Sequence, residues 1–189
     1  ALDEDLVPNF DRINEFYKKY ENEEVLIFGF TFLVYQFIKR ARNLNFKNSI
    51  LFHGGGWKKM QDEKVDKLTF NKLVKEAIGL STNIHDYYGM IEQTGSIYVD
   101  CPRGYLHSSS FSEVVIRDPI DFSVVPHGKG GIIQVLSSIP QSYPGHSILT
   151  EDIGVVHGVD DCKCGRKGTY FEISGRLKSS EIRGCSDTI

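Results

Sequence analysis

The chain has 189 residues, 22 Lys+Arg against 25 Asp+Glu, a formal net charge of -3 and 40% hydrophobic residues. That composition excludes a disordered, collagenous or disulfide-stapled chain, and a domain of this length buries roughly 70% of its unfolded surface without help from metals. The slight acidity excludes a dedicated nucleic-acid binder, which needs a basic stripe to displace counterions from phosphates.

The most apolar window, residues 25–38, contains Gly29, Thr31 and Gln36. It is too short for a bilayer span of about 20 residues, so no membrane span is expected. The acidic start (Asp3, Glu4, Asp5) lacks the basic region and apolar core of a signal peptide, which points to a cytoplasmic protein. Cys101, Cys162, Cys164 and Cys185 do not fall at the doubled C-x-x-C spacing that suggests zinc, and a reducing compartment disfavours disulfides.

In chain order, Phe10, Ile13, Phe16, Tyr17 and Tyr20 recur at helical steps after Pro8-Asn9. Residues 25–30 form a continuous apolar run, as in a strand covered on both faces. A helix over about 32–42 follows, then a strand at 49–52 that ends in Gly54, Gly55 and Gly56, the rhythm of a parallel βαβ unit. Leu68, Phe70, Leu73, Val74, Ala77 and Ile78 mark a further helix, closed by Gly79. Beyond it the composition shifts, and 14 of the 18 glycines lie in residues 79–189. Short apolar runs at 114–116, 132–136, 148–149, 155–156 and 170–173 read as strands of an antiparallel, barrel-like region. The expected fold class is α/β: a parallel, Rossmann-like half over 1–95, a β-rich half over 96–174, and a basic tail over 175–189.

Four segments can carry chemistry. The turn from His53 to Lys59 lies at the carboxyl end of a predicted parallel strand, where open α/β sheets bind ligands, and its glycines let backbone amides approach closely. It reads equally as a plain tight turn, and His53 by itself reads as a hydrogen-bonded core or loop histidine. Tyr87-Tyr88-Gly89 with Glu92 offers a stacking surface beside a metal-binding oxygen, or simply a strand end followed by a solvated glutamate. Residues 150–154, with Asp152, form a short acidic turn between two strands, suited to a ribose diol or to an Asx-turn. Arg176 and Lys178, in the glycine-bounded stretch 175–185, suit phosphate or ribose recognition, or a solvated tail. No G-x-S-x-G elbow accompanies His107 and Ser108, Ser109 and Ser110, which excludes a serine hydrolase of that design.

Taken in order, a Gly-rich turn, Tyr-Gly-x-x-Glu, Thr-x-Asp-x-Gly and Gly-Arg-Leu-Lys-Ser-Ser-Glu-Ile-Arg-Gly resemble the adenylate-forming acyl-activating enzymes. Within them the likeness is to the LuxE-type acyl-protein synthetases, with the phenylacetate-CoA ligases as cousins. It rests on residues 54–59, 88–93, 143–154, 162–167 and 181–187. The resemblance implies ATP-dependent activation of a carboxylic acid, foremost a long-chain fatty acid, as an acyl-adenylate, and transfer to a cysteine. It implies Tyr88 and Gly89 at the adenine, Glu92 holding Mg²⁺, Asp152 on the ribose and Arg176 on ribose or phosphate. Gly54, Gly55 and Gly56 would wall the adenine from the acyl pocket, and Cys185 would accept the acyl group. Acyl-reductase or acyl-transferase partners follow from the same likeness.

Two departures stand out: Ile91 occupies the position where the family carries Thr or Ser before the glutamate, and residues 1–189 contain no Ser/Thr/Gly-rich phosphate loop. The chain therefore reads as the carboxyl-terminal half of a larger enzyme, inactive in isolation. The alternatives are a related ligase using coenzyme A or another acceptor, and a non-catalytic nucleotide-binding domain. Cys162 and Cys164 read as a structural turn, because zinc would require ligands from distant residues such as Cys101 or a histidine.

Overall fold

The structure, a computed structural model, describes residues 2–4, 7–80 and 82–177. Two compact units meet in sequence at Asp86/Tyr87. No helix among the described residues is long and apolar enough to cross a membrane.

The first unit begins with α1 (Phe10–Tyr20), capped by the Asn9 side chain, which accepts from the Arg12 amide at 3.1 Å. Strand β1 (Leu26–Phe30) leads into α2 (Thr31–Arg40) and then β2 (Ile50–Gly54), which pairs parallel to β1 from Leu26↔Ile50 to Phe30↔Gly54. This is the βαβ unit that the apolar rhythm predicts. Helix α3 (Lys67–Ile78) starts at Asp66, whose carboxylate accepts from the Thr69 amide at 2.9 Å, and stops at Gly79 with φ +74°. Phe70, Val74 and Ile78, four residues apart, face inward and pack with Val34, Ile38, Leu51 and Leu80. Burying each such side chain contributes about 1.5–3 kcal/mol.

Coverage of β1 differs from the expectation. Leu26 and Phe28 are each 65% exposed, whereas α2 packs on the Gly29 face.

Strand β3 (Ile84–Tyr88) runs across the boundary. Its last two residues pair antiparallel with β4 (Tyr98–Asp100), which pairs with β5 (Leu106–His107). The strands β6 (Ser112–Arg117), β7 (Gly130–Ser137), β8 (Ser147–Val159) and β9 (Thr169–Arg176) complete the second unit. The order there is β3-β4-β5-β9-β8-β7-β6, an open sheet that does not return on itself. The β-rich half is therefore not a closed barrel. Tyr98, Ile133, Val135, Val156 and Phe171 form its core.

Two further expectations are corrected here. Residues 150–154 are not a turn between strands but the middle of the 13-residue β8: 153–154 pair with β7 and 152–154 with β9, the β7 register breaks opposite 150–152, and register shifts against β9 lie at Ile153/Gly154 and Val156/Gly158. Gly175 and Arg176 are not tail residues but the end of β9, where Arg176 lies opposite Asp152.

The bulge explains the glycine of Thr-x-Asp-x-Gly. A Cβ on Gly154 would lie 2.4 Å from the Glu172 carbonyl oxygen and 2.7 Å from Ile133 Cδ1, so only glycine lets the two strands approach this closely. Gln93 supplies a second tie. Its buried carboxamide donates to the Gly145 carbonyl at 2.9 Å and accepts from the Tyr98 hydroxyl at 3.4 Å, while the Thr94 amide donates to the Tyr143 hydroxyl at 2.9 Å. The loop at 143–145 is thereby fastened to the segment that follows Tyr88.

Gly154→Ala is expected to destabilise the fold by about 1–3 kcal/mol through overpacking against β9. Gln93→Leu should cost about 1–3 kcal/mol, since it removes the donor to the buried Gly145 carbonyl. Denaturant unfolding monitored by circular dichroism checks both.

Candidate functional site

The second unit gathers three of the residues marked in the sequence. Tyr88 ends β3, Asp152 sits beside the bulge of β8, and Arg176 ends β9. The Tyr88 hydroxyl donates to Asp152 Oδ2 at 2.7 Å, and Arg176 Nε lies 3.3 Å from Asp152 Oδ1. Arg176 Nη2 also donates to Glu151 Oε2 at 3.0 Å, so one guanidinium spans two adjacent carboxylates.

Local backbone chemistry aims Asp152. The Thr150 hydroxyl donates to the Ile133 carbonyl at 2.7 Å and accepts from the Asp152 amide at 3.1 Å. The threonine of the motif thus fastens β8 to β7 and orients the aspartate two residues on.

The electrostatics follow from that placement. Burial first, and the Asp152 carboxylate second, push the Tyr88 phenol far above its ordinary value of 10.0, which keeps it a hydrogen-bond donor. Its ring packs edge-on to Phe171 and beside Tyr98, at centroid distances of 6.3 and 5.9 Å. Each Asp152 oxygen has a second lone pair, so the carboxylate, 21% exposed, can still accept from a diol.

Glu92 lies in the short 3-10 turn Ile91–Gln93 and is exposed, as is Ile91 at 67%. An exposed carboxylate suits a hard cation that keeps its water and phosphate ligands. The backbone of Gly89 approaches the Ser96 carbonyl, which a Cβ at that position would meet at 3.4 Å. Gln93 is a functional neighbour that sequence reasoning missed; its only signal was a polar residue inside an otherwise family-like motif.

In the first unit, Gly54 closes β2 and Gly55 follows with φ +79°, a conformation that favours glycine. Beside them is a cavity of about 140 Å³ lined by Thr31, His53, Gly55, Trp57 and Phe70, with Lys67 and Asp86 at its polar side. His53 is buried there, with Nδ1 3.1 Å from the Thr31 hydroxyl and its ring 4.5 Å from that of Phe70. Gly54, Gly55 and Gly56 belong to the first unit, whereas Tyr88, Glu92, Asp152 and Arg176 belong to the second. Cys185, Lys178 and Arg183 lie outside the described residues.

Comparison with known proteins gives this geometry its context. The chain is 31% identical over 138 residues to a long-chain-fatty-acid–luciferin-component ligase of Vibrio harveyi, covering 70% of this chain and 34% of that protein. It is 27% identical over 177 residues to the corresponding ligase of Aliivibrio fischeri, covering 89% of this chain and 46% of that protein. It therefore spans less than half the length of these relatives.

Among solved structures, an open 2-hydroxyisobutyryl-CoA ligase superposes with a TM-score of 0.67 at 18% identity, over 89% of this chain and 36% of that one. ATP-bound MatB from Rhodopseudomonas palustris superposes at 0.57 with 13% identity, over 86% and 33%. These likenesses show that the chain has the fold of a part of these two proteins. Residues 5–189 match the family described as "Acyl-protein synthetase, LuxE", and the chain belongs to that family.

Proposed function

We propose that the protein carrying this chain activates a long-chain fatty acid with ATP and passes the acyl group to a cysteine thiol. The observation that carries this reading is the Tyr88–Asp152–Arg176 constellation, built from the ends of β3 and β9 and the middle of β8, within a chain of the LuxE family. In the first step a carboxylate oxygen attacks the α-phosphorus and pyrophosphate leaves. That step asks the protein for positioning and charge neutralisation rather than acid-base catalysis. Asp152 accepts from the ribose hydroxyls, Tyr88 offers its ring to the adenine, and Arg176 binds ribose or phosphate. The exposed carboxylate of Glu92 would hold Mg²⁺, which neutralises phosphate charge. Gly54, Gly55 and Gly56 are assigned to the wall between adenine and acyl pockets.

In the second step a thiolate attacks the acyl carbonyl and AMP leaves. Cys185 is assigned as that thiolate, with Arg183 and Lys178 near it in sequence to favour its ionised form. An acyl-accepting reductase or transferase is the partner this product calls for.

The test is intact-protein mass after incubating the full-length protein with ATP, Mg²⁺ and a panel of fatty acids. A hydroxylamine-labile acyl adduct that Cys185→Ser abolishes is the expected result. Pyrophosphate release without any adduct would move the acceptor off the protein and overturn the thioester step.

Asp152→Ala should weaken ATP binding roughly 10–100-fold, the worth of hydrogen bonds to a charged acceptor, as read by calorimetry. The pH dependence has a defined sign: Tyr88 has its pKa raised by folding, so its hydrogen bond to Asp152 holds below pH 10.0 and is lost only as pH rises well beyond. Tyr98 and Tyr170 are also raised by burial, so an alkaline titration of tyrosinate absorbance should show several late groups, of which the latest is missing in Tyr88→Phe.

A further inference from the structure

Among the described residues, four ligand-bearing side chains gather away from the nucleotide-site residues: Cys101, His107, Cys162 and Cys164. Their ligand atoms all lie within 4.8 Å of one another. We propose that these four residues form a tetrahedral zinc site that clips the β8–β9 connection to the β4–β5 hairpin.

The geometry suits that metal. Zinc holds thiolates at about 2.3 Å and imidazole at about 2.0–2.1 Å, so tetrahedral ligands stand about 3.5–3.8 Å apart. Cys164 Sγ and His107 Nε2 are 3.5 Å apart. The three cysteines are free thiols, and Cys101, Cys162 and His107 are buried. Three thiols converging on one imidazole nitrogen is the donor set of a closed Cys₃His site.

The backbone is shaped to present them. Cys101 opens a turn closed by its amide donating to the Tyr105 carbonyl at 2.9 Å and by the Gly104 amide donating to the Cys101 carbonyl at 2.7 Å. Cys162 and Cys164 sit on a second tight turn, where the Gly165 amide donates to the Cys162 carbonyl at 3.0 Å. Gly104 and Gly165 both take positive φ, +86° and +88°. The Arg166 amide donates to Cys164 Sγ at 3.3 Å, the bond that a metal-bound thiolate accepts. His107 comes from β5, held between β4 and β9, and its ring stacks on Tyr170 at 5.8 Å. Three thiolates with one Zn²⁺ leave a single negative charge. Arg166, fixed by donation to the Asp100 carbonyl at 2.8 Å, stands beside the site to offset it. With four protein ligands and no open position, the site is structural rather than catalytic.

The test is metal content of the full-length protein after exhaustive dialysis, together with cobalt substitution. The expected result is about one zinc per chain, and a Co²⁺ form with thiolate charge-transfer and tetrahedral d–d absorption. Cys101→Ser and Cys164→Ser should each lose most of the zinc, while Cys185→Ser retains it. Because ligand variants can misfold, the wild type carries the decision. Substoichiometric zinc in wild-type protein that takes up no cobalt with thiolate absorption, or a disulfide among these cysteines by mass, would overturn the proposal.

Discussion

Strands β8 and β9 approach so closely at Gly154 that no side chain fits between the Glu172 carbonyl and Ile133. Much of the second unit follows from that one steric constraint. The ladder shifts register there, Asp152 two residues earlier accepts from the Tyr88 hydroxyl, and Arg176 falls opposite the aspartate at the end of β9. Thr150, bonded to the Ile133 carbonyl, locks the same spot from the β7 side. The motif Thr-x-Asp-x-Gly is thus one mechanical object: the threonine and glycine set the backbone, and the aspartate does the recognising.

The first unit reaches its end point by ordinary amphipathic packing. Inward residues of α2 and α3 and the buried face of β2 enclose one apolar cluster, and the cavity by His53 opens where β2 gives way to glycines. The second unit depends on directed hydrogen bonds from Gln93, Thr150 and the Tyr88 phenol.

Long periodic elements were legible in the sequence because burial imposes their period: α1, α2, α3 and the parallel pair β1–β2 all follow from apolar spacing and caps. Legibility failed where tertiary pairing outweighs local pattern. Residues 150–154 look like a turn because they are acidic and glycine-bounded, yet they run within β8, paired with β7 on either side of a register break and with β9 from Asp152 onward. The strands β4 and β5, three and two residues long, are too short to show any period. Tyr88, Asp152 and Arg176 were recognisable by family likeness, but a contact between residues 64 apart in sequence has no local signature. The same holds for His107 and Cys164, 57 apart, whose meeting point exists only in the folded sheet.

Strand order also has a kinetic side. The last described strand, β9, lies between β5 and β8, so the pairings of β4–β5 and of β6–β7–β8 remain two separate pieces until residues 169–176 are added. Both pieces present an open edge in the meantime, and the contacts that close them join residues far apart in sequence, such as Leu106 with Phe171. The parallel β1–β2 pair, by contrast, is joined through a single intervening helix. Synthesis from the amino terminus therefore lets the first unit form early. The joining of β9 to β5 is the late, long-range event, and during that interval the nascent chain is most exposed to mispairing.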